Sequence, residues 1–255
     1  MGYNTHTMKK PTPSTIVFLA LVVLNAALAA VATFLPQGID IAVPEATMSL
    51  PLMALINGAI VLVVYGVLGL LGLRLTRKLG YPDLLDTRVN NRWRFLNPCM
   101  AGLWLGLLFI VADNLFARTH QYGALPHPPF PLSLIASFNA GIGEEMVFRL
   151  FFIPFLVWLI SRVVLKGAQE SLVFWNAAIF SAVFFAAGHI PSVMILLETS
   201  TPADIPPTMM AEIFLLNGVL SLVAAYFLRR GGYLAAATVH TSADLVWHVI
   251  WGLLR

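Results

Sequence analysis

The sequence predicts an all-α protein, a polytopic bundle of about seven transmembrane helices, on three observations. Of its 255 residues, 59% are hydrophobic and 11% charged, with a mean hydropathy of +0.84; a soluble domain carries roughly 25% charged residues. Apolar runs recur at about the 17 to 25 residues that a helix needs to cross a bilayer core. Lysines and arginines cluster in alternating connections between those runs, the bias that sets the orientation of membrane helices. The net charge of +3 and the pI near 9.2 therefore reflect cytoplasmic loops and argue against nucleic acid as a partner. Cys99 is the single cysteine, which excludes an internal disulfide and a thiolate metal cluster.

The first apolar run is Thr15 to Leu35 and the second Leu50 to Leu73. The third runs from Pro98 to Phe116 and gives way to "GALPHPPFPL", whose successive prolines predict a loop at the membrane surface. Leu132 to Leu165 is too long for one simple crossing. Pro154 is a candidate kink there, and Gly141 with Gly143 a candidate break that would leave a half-helix before Glu144. Ser171 to Gly188, Thr208 to Leu228 and Tyr233 to Leu254 complete the expected set. A single membrane-embedded domain over residues 1–255 is the economical reading, with no internal repeat.

Lys9 and Lys10 precede the first run, while the connection holding Asp40 and Glu45 has no basic residue. Arg74, Arg77, Lys78, Arg88, Arg92 and Arg94 follow the second run, Arg162 and Lys166 the fourth, and Arg229 and Arg230 the sixth. An odd number of spans puts all these basic connections on one face, so the N-terminus is expected in the cytoplasm and the C-terminus outside. Arg118 and Arg255 dissent. The first run also has a signal-peptide reading, with "KK" before it and "ALA" at Ala27 to Ala29, but it exceeds the usual signal core of about 7 to 15 residues. The expected location is a bacterial or archaeal cell membrane, multi-pass.

"GIGEEMVFRL", Gly141 to Leu150, puts Glu144, Glu145 and Arg149 inside an apolar run. Each charge costs roughly 2.5 to 3.5 kcal/mol at the centre of a lone membrane helix, so compensation is required. Glu145 and Arg149 have the spacing and order of an ion pair along one helix face, which favours a structural role for both. Glu144 lies about 100° around the helix from Glu145 and needs a partner elsewhere, or a proton. In a low-dielectric cavity such a carboxylate can serve as a general base toward water. Two further runs bring polar groups at one-turn spacing: Phe185 and His189 in "FFAAGH", and His240 and Asp244 in "HTSAD". Together these could line one aqueous pocket. His120, His127 and His248 are assigned to hydrogen-bonded packing, Asp113 and Asn114 to interfacial solvation, and Trp93, Trp104 and Trp247 to interface anchoring.

Taken in order, Glu-Glu-x-x-x-Arg, Phe-x-x-x-His and His-x-x-x-Asp resemble the three signature motifs of the CPBP family, the CAAX proteases and bacteriocin-processing enzymes also called the ABI family. The resemblance spans about Ser133 to Trp251, within a motif-bearing core of about 131–255. It implies an intramembrane glutamic endopeptidase acting on a membrane-associated or prenylated protein or peptide. In that reading Glu144 and His189 activate a water, His240 and Asp244 stabilise the oxyanion, Glu145 and Arg149 hold the site's shape, and Phe185 packs beneath it. Asp244 stands where Asn or Asp occurs in the family, and an ionised carboxylate cannot donate a hydrogen bond.

Two histidines and a carboxylate also meet the ligand count of a zinc site with an open position. The metalloprotease spacing His-Glu-x-x-His is absent, so a cofactor-free mechanism is preferred and a catalytic zinc is the competing expectation. Two other classes compete with the protease. A proton-coupled transporter would use Glu144, His189, His240 and Asp244 as a relay, but lacks the expected inverted repeats. A non-catalytic scaffold would bind a partner helix through Gly141 and Gly143.

Overall fold

The computed structural model describes residues 12–38 and 48–255. Lys9, Lys10, Asp40 and Glu45, which carry part of the orientation argument, lie outside the described residues. Among the described residues the protein is all-helical, with six helices long and apolar enough to cross a membrane. These are α1 (Pro13–Ala32), α2 (Leu50–Leu79), α3 (Arg92–Phe116), α4 (Leu132–Val164), α5 (Glu170–Ala187, continued after a bend at Gly188 by the short α6, Ile190–Leu196) and α7 (Pro207–Gly231). A last helix, α8, begins as Tyr233–Asp244 and continues through Leu245–Ile250 to Trp251–Leu253. The expected seventh span is thus a continuous helix, less apolar than the others because it carries His240, Asp244 and His248.

The helices are apolar on most faces, as expected when lipid replaces water around a bundle. Leu55, Val63, Trp104, Val111 and Phe180 face outward. Lipid tails are as apolar as leucine, so close packing and polar contacts must supply the association. Small residues allow that approach. A Cβ on Gly69 would collide with the Phe18 ring, and one on Gly72 with the Leu150 backbone. Phe18, Val22, Leu73, Met146 and Leu150 form one core cluster between α1, α2 and α4, so α1 is a packed member of the bundle. A second cluster joins α3, α7 and α8 through Leu105, Phe109, Leu216, Leu220, Val239 and Ala243.

Helix α4 differs from its expected shape. It runs through Gly141 and Gly143 without a break, and no separate half-helix precedes Glu144. The two glycines serve contact instead: a Cβ on Gly141 would strike the Thr241 hydroxyl of α8, and one on Gly143 would lie 2.5 Å from Asn25 and Tyr65. Pro154 does not end the helix either; the flanking Met146–Phe152 and Trp158–Val164 are wider, π-type stretches that absorb its missing donor.

The bundle has two unlike ends. At one, Arg77 pairs with Asp83 at 2.9 Å, Arg162 with Glu170 at 2.7 Å, and Arg229 lies over Phe174. In that connection the Arg88 guanidinium bonds Asp86 and holds its carboxyl down at about 2. At the other end, the proline-rich segment from Ala124 to Pro131 forms a strap, as its composition predicts. The Leu125 N–H donates to Asp113 Oδ1 at 2.7 Å, Arg255 donates to the Leu125 carbonyl at 3.1 Å, and Pro129 abuts Gly38.

Candidate active site

Helix α4 delivers Glu144 and Glu145 at mid-bundle, facing α8. Tyr233 at the start of α8 donates to the Ile142 carbonyl at 2.8 Å, fixing the two helices in register just before the carboxylates. Glu145 is fully buried and divided between two partners. Its Oε2 lies 3.2 Å from Arg149 Nε, and its Oε1 accepts a hydrogen bond from His240 Nδ1 at 2.8 Å. The expected Glu145 and Arg149 pair is present, and Glu145 also touches His240, which helical spacing could not show. Arg149 is fully buried, its guanidinium 4.6 Å from the centre of the Phe185 ring.

His240 is 3% exposed, so its ring nitrogens are spoken for by protein. With Nδ1 donating to Glu145, Nε2 faces two other carboxylates: Asp244 Oδ2 at 3.4 Å and Glu144 Oε2 at 3.9 Å. Phe185 packs edge-on against both His240, at 5.7 Å, and His189, at 5.1 Å. His189 lies in the turn between α5 and α6, and its Nδ1–H donates to the Phe185 carbonyl at 2.9 Å. That bond leaves His189 Nε2 as the free nitrogen.

Glu144, His189, His240 and Asp244 all line one cavity of about 490 Å³, within the size range of ligand sites. Glu144 has 34% of its side chain exposed, while its Oε2 is buried and has no hydrogen-bond partner. The remaining wall is mostly apolar and includes Phe109, Leu196, Ile213 and Leu220. A second recess of about 450 Å³, between α1, α2 and α4, also ends at Glu144. The sequence motifs therefore meet in space: Glu144, Glu145 and Arg149 from α4, Phe185 and His189 from α5, and His240 and Asp244 from α8.

Several assignments made from sequence need correction. His127 and His248 are hydrogen-bonded to each other, their Nδ1 atoms 3.2 Å apart, and both also line the same cavity. Trp247 is buried beside them, 6% exposed, and is no interface anchor. Asp113 is fully buried and holds the strap, while Asn114 bonds the Ile110 carbonyl of its own helix. His120 lies 3.7 Å from Glu212, a fully buried acid of α7. A lone acid in an apolar run was the available signal for Glu212.

Among the described residues no group of three His, Cys, Asp or Glu side chains is placed to hold a metal. His240 Nδ1 bonds Glu145 and His189 Nδ1 bonds a carbonyl, which leaves the Nε2 atom of each ring for other partners.

Residues 126–246 match the family model described as type II CAAX prenyl endopeptidase Rce1-like. No curated protein and no solved structure matches the chain. Over that segment, which contains every motif residue from Glu144 to Asp244, the chain is similar to the Rce1-like type II CAAX prenyl endopeptidases.

Proposed function

We propose that this protein is an intramembrane endopeptidase that cleaves a prenylated or otherwise membrane-associated protein or peptide with a water activated by Glu144 and His189. The carrying observation is the meeting of Glu144 Oε2 and Asp244 Oδ2 at His240 Nε2, on the wall of a cavity that His189 also lines.

A water between Glu144 and the free Nε2 of His189 gives a proton to the Glu144 carboxylate as its oxygen attacks the scissile carbonyl carbon. The carbonyl oxygen becomes an oxyanion, and His240 Nε2–H is the preorganised donor for it. Glu145 supports that task by accepting from His240 Nδ1, which holds the ring's orientation. Asp244, an acceptor when ionised, orients the same Nε2–H until the oxyanion takes it. Glu144 then returns its proton to the departing amine, and the carbon–nitrogen bond breaks to give one new carboxylate and one new amine. Arg149 offsets Glu145, and Phe185 packs against both histidines and the guanidinium. No metal takes part in this reading.

The test is cleavage of prenylated and membrane-anchored peptides by the purified protein in lipid nanodiscs. Glu144→Gln and His189→Ala should each lower the rate by about 10²- to 10⁴-fold, the usual worth of a general base. Activity should survive a chelator. Cleavage that persists in Glu144→Gln would refute the mechanism, and chelator loss restored by zinc would move it to a metal centre.

A further inference from the structure

We propose that Asp113, Glu212 and His120 hold a single proton between them, and that this proton latches the proline-rich strap against the bundle. The latch stands apart from the peptidase reading and makes one wall of the cavity sensitive to pH.

The three side chains meet behind the strap. Asp113, near the end of α3, and Glu212, near the start of α7, are fully buried, and their carboxyl groups stand within hydrogen-bond reach of each other. His120 lies in the turn that leads from α3 to the strap; its side chain is buried, and its Nε2 is 3.7 Å from Glu212 Oε2. Asp113 Oδ2, both Glu212 oxygens and both His120 ring nitrogens are shielded from solvent and have no hydrogen-bond partner among the described residues. Such atoms lose water and gain nothing in return, which a native structure rarely tolerates. Two ionised carboxylates cannot relieve one another, since both only accept. A proton can: on either carboxyl it is donated to the other, and on His120 it makes an ion pair with Glu212.

Charge counting leads to the same place. Asp113 and Glu212 bring two negative charges when ionised, and the cation beside them is Arg255, 3.7 Å from Asp113 Oδ2. One negative charge is left over where water does not reach, a state that buried groups escape by taking up a proton. One proton on the cluster cancels it. The titratable and charged groups facing the two carboxyls are His120 with Tyr122, 6.3 Å away between rings, from the turn, and Arg255 from beyond α8. The strap contributes the Leu125 backbone.

The same groups carry the strap. Asp113 Oδ1 accepts from the Leu125 N–H at 2.7 Å, and Arg255 donates to the Leu125 carbonyl at 3.1 Å. Leu125 packs against the cluster of Ile205, Met209 and Ile213, the last of them next to Glu212 in α7, and it lines the cavity. Loss of the proton sets two carboxylates against each other with one guanidinium to share. The most direct relief exposes Asp113 to water, which frees the Leu125 N–H and loosens the strap from the cavity wall. The strap is therefore held while the proton is present and released as pH rises.

The experiment follows hydrogen exchange at the Leu125 amide in the full-length protein in nanodiscs, expressed as protection relative to the intrinsic exchange rate at each pH. Wild-type protection should fall by at least about tenfold between about pH 6 and pH 9, because release of one proton shifts an equilibrium by up to about tenfold per pH unit. Glu212→Gln keeps the shape of the side chain and supplies a permanent N–H to Asp113, so its protection should stay level over the same range. Asp113→Asn supplies one to Glu212 and should also stay level. Exchange in α5, remote from the cluster, reports whether each variant is folded; if one is not, the other decides by the same criterion. Wild-type protection that does not change with pH, or that falls equally in the folded variants, overturns the latch. So does protection that EDTA abolishes and zinc restores, which puts a metal where the proton is placed. Cleavage has no part in this readout, so the latch and the peptidase reading stand or fall separately.

Discussion

Glu145 is the residue at which structure and chemistry are hardest to separate, because one carboxylate serves both Arg149 and His240. Removing one member of a buried pair leaves the other uncompensated, at a cost of about 3 to 5 kcal/mol. Glu145→Leu should therefore lower the thermal unfolding midpoint sharply in detergent. Glu145→Leu/Arg149→Met removes both charges and should recover much of that stability, yet remain inactive because His240 Nδ1 has lost its acceptor. A double variant that regained cleavage would assign Glu145 a purely structural role. His127 supplies a pH prediction. Its folded value of about 4 lies below the ordinary 6.5, so the unfolded chain binds more protons between those values and stability rises with pH through that window. The contribution is complete above about 6.5 and lost as pH falls toward about 4. The groups facing the ring are His248, Arg255 and, beyond Arg255, Asp113. The unfolding midpoint of the wild type should fall between pH 7 and 5 by more than that of His127→Phe; equal slopes would remove His127 as the cause.

At the scale of elements, the site depends on how closely α4, α3 and α8 approach one another. Gly141 meets Thr241, and Gly102 on α3 meets the Val239 backbone and Ser242. A methyl group at either position must push α8 away, and overpacking of this kind costs typically about 1 to 3 kcal/mol. Gly141→Ala acts one turn from Glu144, so it should lose activity beyond its loss of stability. Gly102→Ala, on the far side of α8, should lose mainly stability. Comparing cleavage rates with unfolding midpoints for the two variants checks this; equal activity losses at equal midpoints would contradict it. The same contacts show what was legible beforehand. Helix positions follow from apolar run length, and Glu144, His189, His240 and Asp244 stand out because ionisable groups in lipid need a reason. The sharing of Glu145 between Arg149 and His240 was hidden, since it depends on the axial register of α4 against α8, fixed by Gly141 and by the Tyr233 bond to Ile142. Gly141 and Gly143 misled because a glycine that permits close contact and one that breaks a helix look the same in a sequence. His127 was hidden for another reason: its place depends on the path of a proline-rich strap, and no periodicity encodes that path.

For the whole molecule, the open question of direction becomes a physical one, because the cavity is displaced toward one end of the bundle. Its wall includes Gln37, Gly38 and strap residues Leu125 to Pro128, all at the end opposite Arg77, Arg162 and Arg229. Retention of basic connections in the cytoplasm therefore predicts that the cavity end faces away from the cytoplasm, and that Thr87 and Gln121, both exposed, lie on opposite faces. Cys99 is the single native cysteine, so a Cys99→Ala background carrying either Thr87→Cys or Gln121→Cys gives one reporter per protein. A membrane-impermeant maleimide added to intact cells should label Gln121→Cys and spare Thr87→Cys, with the pattern reversed in inside-out vesicles. Retained cleavage by both variants would show that the labelled molecules are folded. Labelling of Thr87→Cys from outside would invert the bundle, putting the strap and its histidine pair on the cytoplasmic face. Substrates would then have to be cytoplasmic chains. The predicted orientation instead requires a substrate whose cleaved segment reaches the outer leaflet, so the labelling result decides which pool of membrane-attached proteins can meet Glu144 at all.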